Sequence, residues 1–250
     1  MMNYFLSENL KTKNTFIEKL VFIAPVSVFL LSIFLAATYY IVDGYNWWYM
    51  NIIPIFLAIE CTLFVSLDEK YKNAGILSLP LDLKKVWIAK ILVIIKNLII
   101  SNLMLFLFAN ILPLIIPMHS ILKIPFLNGL SAICILIVTF MWQIPIWLYL
   151  GQKFGMFICI ILSLFVNTLF QVLSIKDFWF MVPFSYPARL MCPILKILPN
   201  GLMAVPESFT FTPELLSISS VFYGVIVSII LCVFFTIITS RKFSNMESVK

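Results

Sequence analysis

Charged residues are scarce in this 250-residue sequence. Asp, Glu, Lys and Arg make up 11% of it, whereas hydrophobic residues make up 62%. An ordinary soluble domain is about a quarter charged and about half apolar. A water-soluble fold of this length would expose large apolar patches. The composition therefore excludes an ordinary soluble domain and predicts a single membrane domain over residues 1–250.

Motifs for chemistry are also missing. The sequence contains no GxxxxGK[ST] phosphate-binding loop, so any ATP hydrolysis would fall to a partner protein. Its one histidine, His119, has neither an HExxH motif nor a Ser-His-Asp arrangement around it. The five cysteines form no CxxC pair, and four of them lie in apolar runs. We therefore expect no catalytic, cofactor or metal site in the chain.

Six apolar stretches are long enough to cross the hydrocarbon core, which takes about 20 residues of helix. An even number of spans places both termini on one side of the membrane. The stretches are 19–42, 50–67, 97–117, 126–149, 156–175 and 216–239.

The basic residues indicate the orientation. With the N-terminus inside, most of the 17 Lys and Arg flank the spans on the cytoplasmic side. Only Lys123, Lys176, Arg189 and Lys196 then lie outside. The positive-inside rule therefore predicts that both termini are cytoplasmic. The scattered placement of these residues also argues against nucleic-acid binding.

Three segments outside the spans have a distinct character. Residues 3–18 mix apolar and charged positions, which favours an amphipathic helix on the inner surface over a disordered basic tail. Residues 176–214 hold six prolines but are too apolar for a solvated loop, and they predict a hairpin that dips into the outer leaflet. The aromatic run Trp47-Trp48-Tyr49 suits an outer interfacial belt.

The cytoplasmic loop 68–87 is a fourth such segment. Leu77 and Leu79 are predicted to stand exposed beside Lys84 and Lys85, and Asp82 is placed to cap a helix that starts after Pro80. An exposed apolar edge on this side predicts a docking site for a partner. The alternative is a helix that lies among the lipid headgroups.

Several polar residues fall inside the predicted spans. Glu60 is either part of a substrate or coupling path or a packing contact to Asn97 or Lys96. A polar stripe recurs every four residues along the fifth span, and it either joins helices by hydrogen bonds or lines a pore. The stripe consists of Ser163, Asn167 and Gln171.

The remaining polar candidates mark a kink and the outer hairpin. Gln143 precedes Pro145 in the fourth span, where a proline kink would free backbone groups for side-chain partners. In the hairpin, Trp179 and Arg189 are candidates for a transport path or gate. Alternatively, these two residues only anchor the hairpin at the interface.

These elements, in this order, resemble a permease of the ABC-2 exporter class. The segment LSLPLDLKKVWIAKIL, residues 77–92, is similar to the coupling region of that class. DGYNWWY at 43–49 and FWFMVPFSYPARLMCPILKILPNGL at 178–202 are similar to the E-type permeases of lantibiotic immunity transporters. The resemblance implies an all-α fold of six transmembrane helices with an N-terminal elbow helix (1–18), a coupling helix (within 68–87) and an outer re-entrant hairpin (176–214).

The resemblance also implies a function and partners. A permease of this kind sits in a bacterial plasma membrane and expels a lantibiotic, while two copies of an ATPase subunit bind ATP and magnesium. Its partner in the membrane is a G-type sister permease or a second copy of itself, surrounded by membrane lipid. The alternatives are an ABC-2 permease for another drug or lipid-like cargo and an intramembrane CAAX-type protease. The protease needs paired glutamates and two histidines in the spans, which this sequence lacks.

Overall fold

The computed structural model describes residues 1–70, 73, 77–115 and 124–245, and these are almost entirely helical. His119 and part of the 68–87 loop lie outside the described residues. The main helices are α1 (Met2–Thr12), α2 (Phe16–Leu35), α3 (Tyr40–Trp47), α4 (Ile53–Glu69), α5 (Leu83–Ile115), α6 (Phe126–Met141), α7 (Ile144–Gln171), α8 (Tyr186–Leu195) and α9 (Ser219–Ser244).

Five helical stretches are long and apolar enough to cross a membrane: Phe16–Leu35, Tyr40–Glu69, Leu83–Ile115, Ile144–Ile175 and Ser219–Ser244. Large apolar side chains on them face outward. Phe34 is 88% exposed, Leu114 84% and Phe157 75%. So much outward apolar surface is unfavourable in water and favourable in lipid. The chain is therefore a multi-pass membrane protein.

Helix α7 folds back on itself. Gly155 interrupts it with φ 76° and ψ 178°, a conformation open to glycine because it has no Cβ. The side chains of Gln143 and Asn167 are hydrogen-bonded at 3.0 Å, although a straight helix would separate them by about 36 Å at 1.5 Å per residue. Gly155 is the midpoint between them, so residues 144–154 and 156–171 form two antiparallel arms.

The first arm of α7 continues α6. Trp142 and Gln143 lie between the two helices with right-handed helical dihedral angles, so the chain is kinked there and not reversed. The kink falls just before Pro145, as the sequence predicts, because proline cannot donate its backbone hydrogen bond. Helix α6 has 16 residues, about 24 Å, which is too short to span a membrane alone.

The predicted boundary of the first span is wrong at its end. Helix α2 ends at Leu35, and residues 40–42 begin the next helix. The run Trp47-Trp48-Tyr49 is also not in an outer loop, because a π-helical turn at Trp48–Ile52 joins α3 to α4. Trp48 and Tyr49 are completely buried, so they are not interfacial anchors. The turn precedes Pro54, which lacks the N–H that a regular helix needs.

Helix α5 begins earlier than the predicted span 97–117. Asp82 Oδ1 accepts hydrogen bonds from the backbone N–H groups of Lys84 (3.1 Å) and Lys85 (3.3 Å), which confirms the predicted cap. The capped helix is the start of α5 itself. At 33 residues α5 is about 50 Å long, whereas the hydrocarbon core is about 30 Å. Part of α5 therefore projects beyond the membrane.

Helix α1 has two faces, as predicted for residues 3–18, although it ends at Thr12 and residues 16–18 belong to α2. Met2, Leu6 and Leu10 recur every four residues and are 50–69% exposed. Glu8 on the opposite face is 3% exposed and packs on the protein. An apolar face turned outward suits a helix that rests on lipid.

Residues 176–214 pack against the helices. Helix α8 is buried along most of its length, between short 3₁₀ turns at Asp177–Met181 and Pro213–Leu216. Residues 198–201 form a tight turn in which the Gly201 N–H donates to the Leu198 carbonyl at 2.9 Å. Gly201 has φ 83°, which favours glycine at this position. Burial accounts for the apolar composition of α8.

Candidate functional site

Four charged side chains form a closed ring where α1 meets α4 and α5. Lys90 Nζ lies 2.7 Å from Glu8 Oε2 and 2.5 Å from Asp68 Oδ2. Lys11 Nζ lies 2.7 Å from Glu8 Oε1 and 2.9 Å from Asp68 Oδ1. Each carboxylate thus binds both ammonium groups, and we call this set the ion ring. It ties α1 to both ends of the 68–87 loop.

The ion ring is largely shielded from water. The side chains of Lys90 and Glu8 are 2% and 4% exposed, and Lys90 Nζ also lies 4.5 Å from the centre of the Phe64 ring. Burial lowers the pKa of Lys11, but its bonds to Glu8 and Asp68 outweigh burial, and the net pKa is raised. A buried ion pair is costly to break, because the remaining partner keeps an uncompensated charge. The ring therefore holds α1 firmly in place.

The predicted docking residues lie beside this ring. Leu79 is 56% exposed, Leu77 is partly exposed, and Lys84 and Lys85 are exposed. The backbone N–H of Asp82 donates to the Tyr4 hydroxyl at 3.3 Å, which joins the loop to α1 directly. Leu79 also lines one cavity with Glu8 and Lys11 of the ring. We call the four exposed or partly exposed residues Leu77, Leu79, Lys84 and Lys85 the docking patch.

Glu60 is completely buried between α4 and α5. Its Oε1 accepts a hydrogen bond from Asn97 Nδ2, the helix contact that one interpretation of the sequence predicts. Its Oε2 has no partner among the described residues. Lys96, the other suggested partner, donates to Asn9 Oδ1 on α1 at 2.5 Å. A role of Glu60 in a transport path stays a prediction.

The polar stripe lies between helices. Ser163, Asn167 and Gln171 are all fully buried. Ser163 Oγ donates to the Pro54 carbonyl at 2.9 Å, and Asn167 exchanges hydrogen bonds with Gln143. These contacts join the second arm of α7 to α4 and to the kink. Hydrogen bonding between helices thus accounts for the stripe, and a transport role of Asn167 and Gln171 stays a prediction.

The side chain of Gln171 forms a hydrogen bond with a free backbone carbonyl of the π-helical turn. The Ile53 N–H, which would bond the Tyr49 carbonyl in a regular α-helix, bonds the Trp48 carbonyl instead. The next residue, Pro54, has no N–H to donate, so the Tyr49 carbonyl is left without a helical partner. Gln171 Nε2 donates to that carbonyl at 3.2 Å. A buried carbonyl left unpaired would cost about 1–3 kcal/mol. This bond explains why a polar residue stands at position 171.

Arg189 is the buried cation of the 176–214 segment, with 6% of its surface exposed. Nη1 donates to the Ser174 carbonyl at 3.2 Å and Nη2 to the Glu214 carbonyl at 3.0 Å. Burial lowers the pKa of Arg189, and electrostatic interactions with Cys192, Glu214 and Asp177 oppose that shift. An arginine pKa starts so high that the guanidinium stays protonated at neutral pH.

An aromatic cluster and a cavity adjoin this guanidinium. The Trp179 ring centre lies 5.1 Å from Arg189 Cζ, and Trp179 packs edge-on against Tyr186 and Tyr223. A cavity of about 570 Å³ opens between the two 3₁₀ turns, with Arg189 and Trp179 in its wall. The structure therefore brings both predicted gate residues to one cavity, which we call the Arg189 cavity.

The two sequence motifs at 43–49 and 178–202 contact each other. Asn46, in DGYNWWY, directs its side-chain amide at the carbonyls of Leu198 (3.5 Å) and Pro199 (3.4 Å) in the LPNGL turn. The same amide donates to the Tyr49 hydroxyl at 2.8 Å. The turn is thereby attached to α3, and the two motifs form one structural unit.

Sequence reasoning missed the ion ring. Lys90 counts only as a basic flank in the sequence, and Glu8 and Asp68 are 82 and 22 residues away from it. A lysine among the apolar residues VWIAKILVII was the available signal, because a buried lysine needs a partner. No sequence pattern identifies that partner across such separations.

The described residues contain no group of three or more His, Cys, Asp or Glu placed to hold a metal ion. No protein family, curated protein or solved structure matches the chain. Its function must therefore be inferred from its own residues and geometry.

Proposed function

We propose that the chain is the permease subunit of an ABC-2 exporter that expels a lantibiotic and so protects the cell. The observation that carries the proposal is the docking patch. It exposes leucine and lysine at one end of the helices, on a loop that the ion ring fixes at both ends. A partly apolar patch outside the spans suits the binding of a second protein.

The path of the chain supports the same proposal. The kink at Gln143 and the reversal at Gly155 divide residues 126–175 into two passes, and with the other four stretches they make six. The lipid-facing helix α1 corresponds to an elbow helix, and the buried α8 to a re-entrant hairpin. In this arrangement both termini and the docking patch are cytoplasmic, and the Arg189 cavity faces outward.

In the proposed mechanism, two ATPase subunits dock on this chain and on a sister permease or a second copy. Closure of the ATPases on ATP would press on the docking patch. Because the ion ring joins the patch to α1, α4 and α5, these helices would move with it as one body. The cargo would leave through the 176–214 end, which holds the Arg189 cavity.

Docking can be tested by charging the apolar part of the patch. The double change Leu77→Asp and Leu79→Asp should release the ATPase from the purified complex while the chain still inserts in the membrane. Phe209→Asp is the matched control, because Phe209 is 99% exposed and lies in the other end of the molecule. Equal recovery of the ATPase with both variants would show that the loop contacts lipid instead.

The cargo is tested in cells that carry the chain with its ATPase and sister permease. We expect a higher minimum inhibitory concentration for at least one lantibiotic, and Trp179→Ala should lower it at equal expression. If the complete complex gives no resistance to any lantibiotic and exports an unrelated compound, the chain is an ABC-2 permease for another drug or lipid-like cargo.

A further inference from the structure

Asp177 and Glu214 line the same cavity as Arg189, but neither carboxylate bonds the guanidinium directly. None of the ion pairs within the described residues includes it. Its two hydrogen bonds go to neutral backbone carbonyls, and Nε is buried without a partner. A buried ion that no carboxylate bonds directly is incompletely compensated, and it marks a place where a ligand can supply a direct partner.

The cavity next to Arg189 is large enough for such a ligand. Its volume of about 570 Å³ falls within the range of roughly 300–1,000 Å³ that is usual for ligand sites. Arg189 uses two of its five N–H donors on carbonyls, and Nε is enclosed, so the second hydrogens of Nη1 and Nη2 are the donors left for a ligand. A guanidinium fork of this kind binds a carboxylate through two parallel hydrogen bonds.

The mouth of the cavity carries two anions and one cation. Asp177, Glu214 and Lys176 all line it and are exposed. The two carboxylates disfavour a ligand with several negative charges and favour one that carries a cation next to its anion. Trp179 and Pro213 supply an apolar wall. The cavity thus offers one buried cation, an outer net negative charge and an aromatic surface.

We propose that the Arg189 cavity binds the free carboxyl terminus of a cationic peptide, with Arg189 on the carboxylate and Asp177 and Glu214 facing basic side chains. The choice of a peptide rests on the proposed export of a peptide antibiotic. Arg189 acts here by binding, and the aromatic wall holds the last residues of the peptide. A phospholipid headgroup, which also joins an ammonium group to an anion, is the competing occupant.

The chain offers a direct probe of this contact, because Arg189 and Arg241 are its two arginines. The full chain, with ¹⁵N-labelled arginine and reconstituted in lipid nanodiscs, gives one Nε signal for each. We would add the tripeptide acetyl-Lys-Trp-Lys as the free acid, as its C-terminal amide, and, separately, glycerophosphoethanolamine. The Arg189 signal should shift with the acid alone, and the Arg241 signal should not move.

A shift with glycerophosphoethanolamine would assign the cavity to lipid and overturn the proposal. Equal shifts with acid and amide, or no shift at millimolar concentration, would overturn it as well. This measurement needs neither the ATPase nor resistance. Resistance without a carboxylate-dependent shift would therefore reject the inference and leave the proposed function standing. A carboxylate-dependent shift without resistance would reject the proposed function and leave the carboxylate site standing.

A second measurement uses cells that show resistance. Amidation of the lantibiotic's C-terminus should weaken protection by roughly 30-fold, which corresponds to a loss of about 2 kcal/mol from a buried charge contact. Arg189→Lys keeps the charge but loses the fork, so it should protect equally against both forms. Arg241→Lys makes the same change at the other arginine, outside the cavity, and as the matched control it should keep the preference. A preference that survives in Arg189→Lys would overturn the assignment.

Discussion

Two buried cations at opposite ends of the molecule have very different surroundings. Lys90 contacts two carboxylates within the chain, at 2.7 and 2.5 Å, and Lys11, the second cation of the ion ring, contacts the same two. Arg189 contacts two backbone carbonyls and keeps an unpaired Nε in the wall of a cavity. Lys90 therefore serves the structure of the chain, whereas Arg189 retains binding capacity for something else.

The side-chain chemistry suits each position. A lysine ammonium is a compact charge that can be enclosed by two carboxylates, as at Lys90. An arginine has five donors in a planar fork, so it can bind two carbonyls and still offer a binding edge. A buried charge therefore becomes a functional candidate when the chain itself does not supply all of its partners.

Lys90 and Arg189 are expected to lie on opposite sides of the membrane. Single cysteines at Thr38 and Glu207 should react fully with an impermeant maleimide added outside intact cells, and cysteines at Lys84 and Asn245 should not react. The wild-type chain is the blank, because its five cysteines lie in or against the helices. Reversed labelling would place the Arg189 cavity inside and contradict the orientation predicted from the basic residues.

Breaking the ion ring should have the largest effect on stability. Lys90→Met leaves Glu8 and Asp68 buried with Lys11 as their remaining cation, and we expect a loss of about 3–5 kcal/mol in the free energy of unfolding. Unfolding of the purified chain by denaturing detergent would measure it, together with protease cleavage of α1. Lys19→Met, at an exposed lysine near the same end, is the control. Equal losses of stability in both variants would show that the ion ring does not stabilise the fold specifically.

Local patterns predicted much of the fold. The apolar runs, the Asp82 cap and the kink before Pro145 depend on neighbours close in sequence, so the sequence was sufficient for them. The end of the first span at Leu35 was missed because residues 40–49 are apolar and aromatic in either a loop or a helix. Only the burial of Trp48 against Asn102, 54 residues away, separates these possibilities.

The residues of the candidate sites could likewise be predicted where the signal is local in the sequence, whereas their distant partners could not. Arg189 and Trp179 could be selected because charge and indole stand out in an apolar segment, and the structure places them at one cavity. Ser163, Asn167 and Gln171 were recognised as one face, but their partners come from α4, the kink and the π-helical turn. The ion ring needs three separate elements to meet, and no spacing in the sequence encodes that meeting.

Removing the Arg189 charge should affect stability less than removing that of Lys90. Arg189→Gln deprives two carbonyls of a charged donor but leaves no carboxylate unpaired, and we expect a loss of about 1–3 kcal/mol. The same denaturing-detergent titration measures it, and assembly with the ATPase should persist. A loss as large as that of Lys90→Met would mean that Arg189 is mainly structural, and the contrast between the two cations would fail.

The smallest effect is expected at an exposed ion pair. Lys85 Nζ lies 3.2 Å from Asp82 Oδ2, with both side chains about half exposed, so water already screens the charges. Lys85→Ala should leave the unfolding transition unchanged, because Asp82 still caps α5 through the backbone N–H groups of Lys84 and Lys85. Lys85 belongs to the docking patch, however, so less ATPase should be recovered with the purified chain. Lys153→Ala, at an exposed lysine outside the patch, should change neither quantity. A stability loss in Lys85→Ala without any loss of ATPase would show that the residue supports the fold, and the docking patch would then be reduced to its leucines and Lys84.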